Sequence, residues 1–293
     1  MITVSLPFGL KVRPVIDALH LSGVNIQSPG PEICFDFSQV SFADPTGIVL
    51  LHNLTRYLSS RGVRVFYSQL AGLSSALRFM DDIGFFEDHL GRRLHAGSRL
   101  RPTTLRLREV HQSDVPTWIN TMFVPWVSVC SNHPERSLGM LGVCVSEIFN
   151  NIRDHAGTDV GSIFGQWFPN IQRLRIAISD MGAGIPATVA ATRPDIAPEM
   201  AILTAFQLGF STQSQPRNRG AGLDYLVSKV CRELGGTITT YSGGRVVHAD
   251  ESGRLSPFSA LLTDVGYAGT LFDIVMPTGT LVHDPQDVEV DVW

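Results

Sequence analysis

The stretch SLGMLGVCVSEIFNNIRDHA (137–156), followed by LRIAISDMGAGIP (174–186), decides the fold of this chain. The first segment has the periodicity of a helix, in which successive residues advance by about 100°. Glu147, Asn151 and Asp154 therefore fall within roughly 60° of one another on one face. The apolar residues cluster on a neighbouring face, as expected of a helix that packs on a sheet. The polar face is either simply solvated or part of a ligand site.

The second segment predicts a strand that ends in an acidic, glycine-containing turn. Asp180 closes the strand LRIAISD, and Gly182 and Gly184 follow it. A carboxylate at this position can accept a hydrogen bond from an exocyclic amine, and glycine allows backbone to approach a ligand closely. The same pattern also fits a plain tight turn.

A further glycine-containing segment precedes a predicted helix. In NRGAGL (218–223), Gly220 and Gly222 stand just before DYLVSKVCREL. Free backbone N–H groups at the start of a helix can bind phosphate oxygens. Arg217 and Arg219 lie in the polar segment GFSTQSQPRNRG (209–220), where they either reach a phosphate or are only solvated.

In their order and spacing, these segments resemble the GHKL superfamily of DNA gyrase, the heat-shock chaperone, histidine kinases and the mismatch-repair ATPase. The resemblance covers about residues 140–277, within a predicted domain over 104–280. The matching motifs are ExxxN at 147–151, DxGxG at 180–184, GAGL at 220–223 and Gly269-Thr270 before FDIVMP. The resemblance implies a Bergerat-type α/β sandwich that binds ATP and Mg²⁺, with segment 209–220 as a lid over the nucleotide.

The resemblance also implies a role for each matching residue. Asn151 would coordinate Mg²⁺, Asp180 would bind the adenine amino group, and Thr270 would support the adenine through its hydroxyl. The remaining residues predicted to bind the cofactor are Asp154, Gly182, Gly184, Arg217, Arg219, Gly220 and Gly222.

Glu147 bears on the reaction, because a carboxylate one helical turn before the Mg²⁺-binding Asn can accept a proton from an attacking hydroxyl. Within the superfamily, such a residue implies either an ATPase that activates water or an anti-sigma-factor kinase that activates a Ser or Thr of a partner protein. EIFNNIRDHAG is similar to the second branch. A nucleotide-sensing module without catalysis is the third alternative. As for partners, the chain is expected to bind ATP and a partner protein, and a second copy of the chain is a further candidate partner.

The N-terminal region has the element order β-α-β-α and is predicted to form a small α/β domain over residues 1–97. ICFDFSQVSFADPTGIVLLHNLTRYLSSRGVRVFY resembles the STAS fold of anti-sigma-factor antagonists. Thr46, in Asp44-Pro45-Thr46-Gly47, stands where that family has its phosphoacceptor serine, although Pro45 departs from the pattern. The alternative for Thr46 is a helix N-cap, and this is the interpretation that we favour.

The composition of the chain argues against nucleic-acid binding and membrane association. The net charge of −4 provides no general attraction for nucleic acid or anionic membranes. The four cysteines are widely spaced and mostly lie in apolar stretches, which predicts buried, reduced thiols and a cytoplasmic location. The sequence shows no signal peptide or membrane span, and residues 281–293 form an acidic tail.

Overall fold

The computed structural model describes residues 1–207, 222–257, 267 and 269–281. Its N-terminal unit contains a parallel sheet of three strands in the order β1-β3-β5 and a separate parallel pair, β2-β4. The elements in chain order are β1 (Ile2–Ser5), β2 (Gly9–Leu10), α1 (Val12–Leu21), β3 (Glu32–Asp36), β4 (Phe42–Ala43), α2 (Pro45–Ser60), β5 (Arg64–Ser68), α3 (Ser75–Asp82) and α4 (Phe85–Leu90).

The C-terminal unit is built on a sheet of seven strands in the order β11-β10-β9-β12-β8-β7-β6, in which every neighbouring pair is antiparallel. Its elements are β6 (Thr104–His111), α5 (Val115–Trp118), α6 (Val124–Ser131), α7 (Gly139–His155), β7 (Val160–Phe168), β8 (Arg173–Ser179), α8 (Ile185–Thr192), α9 (Ala201–Ala205), α10 (Leu223–Val227), β9 (Thr237–Ser242), β10 (Arg245–Ala249), β11 (Leu255–Pro257) and β12 (Thr270–Pro277). Together the two units give the mixed α/β fold that the sequence predicts.

The two faces of the large sheet are covered differently. Ile163 and Ile178 point to the face where they share a core with Ile148 of α7 and Leu226 of α10. The neighbouring residue Phe164 points to the other face and packs in the core of the N-terminal unit. This division follows from the strand period of two, which sends successive side chains to opposite faces.

Helix α2 connects the two units. Twelve of its sixteen residues are buried, because it lies between the three-stranded sheet and β7, β8 and β12 of the large sheet. Phe79 of α3 adds an edge-to-face contact with Phe164 of β7, with ring centroids 6.1 Å apart. A helix that is buried on nearly all sides belongs to a core. The N-terminal unit is therefore packed on the second face of the large sheet.

Asp44 caps the start of α2, and this corrects the N-cap role that the sequence gave to Thr46. Its Oδ1 accepts hydrogen bonds from the Gly47 amide at 3.0 Å and from the Thr46 hydroxyl at 2.6 Å. Asp44 is the N-cap because it directly precedes Pro45, which occupies the first helical position. Thr46 is only 2% exposed, so this conformation does not present its hydroxyl to a kinase.

Several elements match their predicted type and differ only at their ends. The segment WINTMFVPWVSV (118–129) predicts a helix, and the structure has one from Val115 to Ser131 that contains a π-helical turn at Ile119–Phe123. The sequence also predicts a helix over 197–209, and in the described residues this helix covers only Ala201–Ala205. The sequence did not predict β1, β2, α1, β4, α4, β7, α8, β10 or β11. Most of these elements have too few residues to show a clear periodicity. Length does not explain the omission of α1, which has ten residues, or of β7, which has nine.

All four cysteines are buried and free, as the sequence predicts. Among the described residues, no helix combines the length and the apolar character needed to cross a membrane.

Candidate functional site

A cavity opens on the helix-covered face of the large sheet, among α7, α8, α9, α10 and the ends of β8 and β12. It brings together five of the residues predicted from the sequence, namely Asn151, Asp180, Gly184, Gly222 and Thr270. The rest of its described wall is mainly apolar and consists of Ile152, Ala156, Ile185, Thr188, Val189, Ala205, Leu223 and Phe272. An apolar cavity with a few converging polar groups has the composition expected of a nucleotide-base site.

Asp180 supplies the acidic group of this cavity. It is 3% exposed, and its Oδ1 accepts a hydrogen bond from the Gly182 amide at 2.7 Å. Burial raises the pKa of Asp180 from 3.8 to about 6, although backbone hydrogen bonds oppose the shift. Because the folded-state pKa is the higher one, ionisation of Asp180 lowers the stability of the fold as pH rises from about 4 to about 6.

Thr270 lies beside Asp180 and is held by a serine that sequence reasoning missed. The Thr270 hydroxyl is 3.0 Å from Ser242 Oγ, which also donates to the Gly269 carbonyl at 2.9 Å. Ser242 accepts a hydrogen bond from the Ile185 amide at 2.9 Å, and so links the end of β9 to the start of α8. The available signal was the pairing of two polar strand ends, Ser242 and Thr270, which requires the strand register to be known.

Glycine is required at three positions of the predicted motifs, for reasons that the structure shows. A Cβ on Gly182 would lie 2.0 Å from the Ala156 carbonyl oxygen, so Gly182 allows the turn to pack against the end of α7. A Cβ on Gly269 would lie 2.1 Å from the Asp180 carbonyl oxygen. Gly184 has a φ of 77° at the start of α8, a region that glycine adopts without strain. Gly182 and Gly269 thus maintain close backbone packing around Asp180.

The polar face of α7 is divided between the cavity and its surroundings. Asn151 lines the cavity, and its side-chain nitrogen donates to the Glu147 carbonyl at 2.7 Å, which leaves Oδ1 as a potential ligand. Glu147 is half-buried and lies one turn away, outside the described cavity wall, with Asn150 Nδ2 at 3.5 Å from Oε1. Burial raises the pKa of Glu147, as suits a group that accepts a proton.

Asp154 lies outside the described cavity wall, and its predicted role in binding the cofactor stays a prediction. Its carboxylate forms a two-point ion pair with neighbouring Arg153, at 2.6 and 3.1 Å. The helical spacing places Asp154 near the face of Asn151, but the adjacent guanidinium engages its carboxylate at the surface. Helical spacing alone does not predict that Arg153 pairs with the Asp154 carboxylate.

The predicted glycine segment and lid lie mostly outside the described residues. Gly222 precedes the first turn of α10 and lines the cavity. Arg217, Arg219 and Gly220 lie outside the described part of the chain, and their contacts with a nucleotide stay predictions.

The residues present fit a magnesium ion that is held mainly by a nucleotide. The described part of the chain contains no cluster of three or more His, Cys, Asp or Glu that could hold a metal. Mg²⁺ is commonly bound through one or two protein oxygens, with phosphate and water oxygens completing its coordination. Asn151 provides one such oxygen within the cavity.

Residues 139–277 match the family described as histidine kinase-, DNA gyrase B- and HSP90-like ATPases. The matched region runs from the first residue of α7 to the last residue of β12, and thus includes the whole described cavity. A comparison with curated proteins gave no match. Residues 139–277 are therefore an ATPase domain of the GHKL type, and this supports an ATP-binding regulatory function.

Proposed function

We propose that this chain is a regulatory kinase of the anti-sigma-factor type, which transfers the γ-phosphoryl group of ATP to a Ser or Thr hydroxyl of a partner protein. The observation that carries the proposal is the meeting of Asn151, Asp180 and Thr270 in one cavity of an ATPase domain of the GHKL type. Asp180 accepts a hydrogen bond from the adenine amino group, and Thr270 supports the base with its hydroxyl.

Catalysis is assigned to Glu147. It lies one turn before Asn151 and is half-buried, and burial raises its pKa, so it is suited to accept the proton of the attacking hydroxyl. The bond from the partner oxygen to the γ-phosphorus forms while the bond to the ADP oxygen breaks. Bound Mg²⁺ would neutralise charge on the phosphates, and Asn151 would hold it.

The N-terminal unit, similar in its sequence to STAS domains, is proposed to serve regulation instead of accepting the phosphoryl group. The burial of Thr46 and its hydrogen bond to Asp44 argue against transfer to that residue within the folded chain. The acceptor is therefore assigned to a separate protein.

A product assay tests the proposal. The full chain is incubated with γ-labelled ATP, Mg²⁺ and proteins from its source cell, and free phosphate and phosphoprotein are measured separately. Phosphoprotein that depends on the chain supports the kinase. Free phosphate alone would identify an ATPase, and ATP binding with neither product would identify a nucleotide sensor.

The matched variants for this assay are Glu147→Gln and Glu135→Gln. Loss of a general base lowers the transfer rate by about 10²- to 10⁴-fold, so Glu147→Gln should lose transfer and retain ATP binding. Glu135 is exposed and lies just before α7, so Glu135→Gln should behave as the unaltered chain. Equal rates in all three proteins would remove Glu147 from the mechanism.

A further inference from the structure

A buried chain of hydrogen bonds runs from helix α2 of the N-terminal unit to the backbone of Asp180. Asn53 Nδ2 donates to the hydroxyl of Tyr267 at 3.0 Å. That hydroxyl donates to the carbonyl oxygen of Asp180 at 2.9 Å and lies 2.5 Å from Ser179 Oγ. On its other side, Asn53 Oδ1 accepts a hydrogen bond from Ser162 of β7 at 2.6 Å. Asn53 is thus linked to the cavity in two steps.

Each member of this chain is withdrawn from solvent. Asn53 is 4% exposed and Tyr267 is 1% exposed, and burial raises the pKa of the Tyr267 hydroxyl. A buried polar group without a partner destabilises a fold, so such networks keep a defined geometry when every member is satisfied. The Asp180 carbonyl therefore has a fixed partner whose own position depends on α2.

Asp180 also forms part of the wall between two cavities. One is the predicted nucleotide site, and the other is a cleft between α2 and the large sheet that is lined by Asn53, Ser162, Ser179, Asp180 and Met181 among others. The side chain of Asp180 interacts with the Gly182 amide, while its carbonyl meets Tyr267. The backbone conformation of Asp180 therefore couples its contact in the cleft to the position of its carboxylate in the predicted nucleotide site.

We propose that Asn53 and Tyr267 are positioning residues for adenine recognition, through which the N-terminal unit sets the nucleotide affinity and base preference of the ATPase domain. The inference rests on the proposed role of Asp180 as the adenine acceptor. Asn53 and Tyr267 do not touch the base. They fix the carbonyl of Asp180, and so the direction in which its carboxylate meets the exocyclic amine.

The test measures the affinities of the full chain for ATP and GTP by titration calorimetry. Tyr267→Phe removes the hydroxyl and keeps the ring, while Asn53→Leu removes the donor at nearly constant size. Loss of one such hydrogen bond should weaken ATP binding by about five- to thirtyfold. GTP has a carbonyl in place of the adenine amine, so its weaker binding should change little. The ratio of ATP to GTP affinity should therefore fall in both variants.

The control is Thr55→Val in the same helix. Thr55 is 4% exposed and accepts a hydrogen bond from the Tyr67 hydroxyl at 2.9 Å within the N-terminal unit. The substitution removes a buried hydrogen bond from α2 without touching the chain to Asp180. It should lower the melting temperature and leave the ATP-to-GTP ratio unchanged. An equal change of the ratio in Thr55→Val would overturn the inference, since any loosening of α2 would then suffice.

A double variant separates positioning from stability. In Asn53→Leu the Ser162 hydroxyl loses its acceptor, and Asn53→Leu/Ser162→Ala removes that unsatisfied group. The double variant should regain stability relative to Asn53→Leu and still show the lowered ATP-to-GTP ratio. If the double variant regained both the stability and the ATP-to-GTP affinity ratio of the unaltered chain, Asn53 would have a structural role only.

The outcomes distinguish this inference from the proposed function. If the unaltered chain fails to bind ATP, the proposed function fails. If it binds ATP, and Tyr267→Phe and Asn53→Leu bind ATP and GTP with unchanged affinities, only the positioning role fails.

Discussion

At the scale of single residues, the buried surroundings of Asp180 are unfavourable to its own charge. It is buried, and its pKa is raised to about 6, yet its proposed role is to accept a hydrogen bond as a carboxylate. An adenine amine brings a donor to this oxygen, and hydrogen bonds to charged groups are stronger than those between neutral groups. Ligand binding and the ionisation of Asp180 should therefore be coupled.

We expect the affinity for ATP to fall as pH decreases through about 6, because protonation removes the charge of Asp180. Well below this pKa, the loss from one coupled proton approaches about tenfold per pH unit. Calorimetric titrations between pH 5 and 8 measure the effect, and Asp180→Asn is the control. The phosphates of ATP titrate identically with both proteins, so only the difference between the two curves reports Asp180. Parallel curves would exclude the coupling.

Gly182 illustrates a second constraint at this scale. We expect Gly182→Ala to destabilise the fold by about 1–3 kcal/mol, the usual cost of overpacking, and to weaken ATP binding, because the new Cβ would collide with the Ala156 carbonyl. Urea unfolding and calorimetry check these effects. Gly139→Ala is the matched control, since a Cβ at Gly139 meets nothing within 4 Å. A Gly182→Ala chain as stable as Gly139→Ala would contradict the packing argument.

At the scale of elements, helices α2 and α7 have different structural roles. Helix α7 presents an apolar face to the sheet and Asn151 to the cavity, which is the division that its sequence pattern predicts. Helix α2 is buried between two sheets, and its N-terminus is tied to the large sheet by Arg175 of β8, whose Nη1 lies 3.0 Å from Asp44 Oδ2. The same guanidinium forms a two-point pair with Asp273 of β12.

We therefore expect Asp44→Ala to cost more than an ordinary helix cap. Removal of an N-cap typically costs about 1 kcal/mol. Loss of the contact with Arg175 adds to this cost, but by less than the roughly 3 kcal/mol of an uncompensated buried charge, because Arg175 keeps its pair with Asp273. Ser74→Ala is the comparison, because Ser74 caps α3 through the Leu77 amide and its hydroxyl otherwise donates to the uncharged Val40 carbonyl. Urea unfolding of the two variants measures the difference in unfolding free energy. Equal losses would show that the Arg175 contact contributes nothing measurable.

At the scale of the whole molecule, the two units share a core. Leu50 and Leu54 of α2 belong to the same cluster of buried residues as Phe164, Ala177 and Leu271 of the large sheet. Separation of the units would expose apolar surface on both, which is unfavourable in water. The chain should behave as one cooperative unit despite having two sequence regions.

Differential scanning calorimetry should therefore show one unfolding transition, and ATP with Mg²⁺ should shift all of it upward. A ligand that binds only the folded state at 100 times its Kd stabilises it by about 2.7 kcal/mol. Thr55→Val, which alters only the N-terminal unit, should lower the temperature of the same transition. Two transitions, of which only one responds to ATP, would contradict the shared core.

Sequence reasoning predicted residues that line the cavity better than the surroundings that support them. Asn151, Asp180, Gly184, Gly222 and Thr270 were found because each lies in a short motif with local meaning, at a strand end or a helix face. Ser242 was missed, since its importance follows from a strand register that joins it to Thr270. The role of Asp154 stays a prediction, since its carboxylate pairs with the neighbouring Arg153 outside the described cavity wall.

The sequence by itself determined the ATPase domain, because its motifs follow from backbone requirements within a few residues: glycines at close approaches, a carboxylate at a strand end, an amide on a helix face. Only the tertiary structure decided that the N-terminal unit covers the second face of the sheet and reaches Asp180. The hydrogen bond between Asn53 and Tyr267 joins residues 214 positions apart. Such a contact leaves no local pattern, because it depends on how two separately patterned regions pack together.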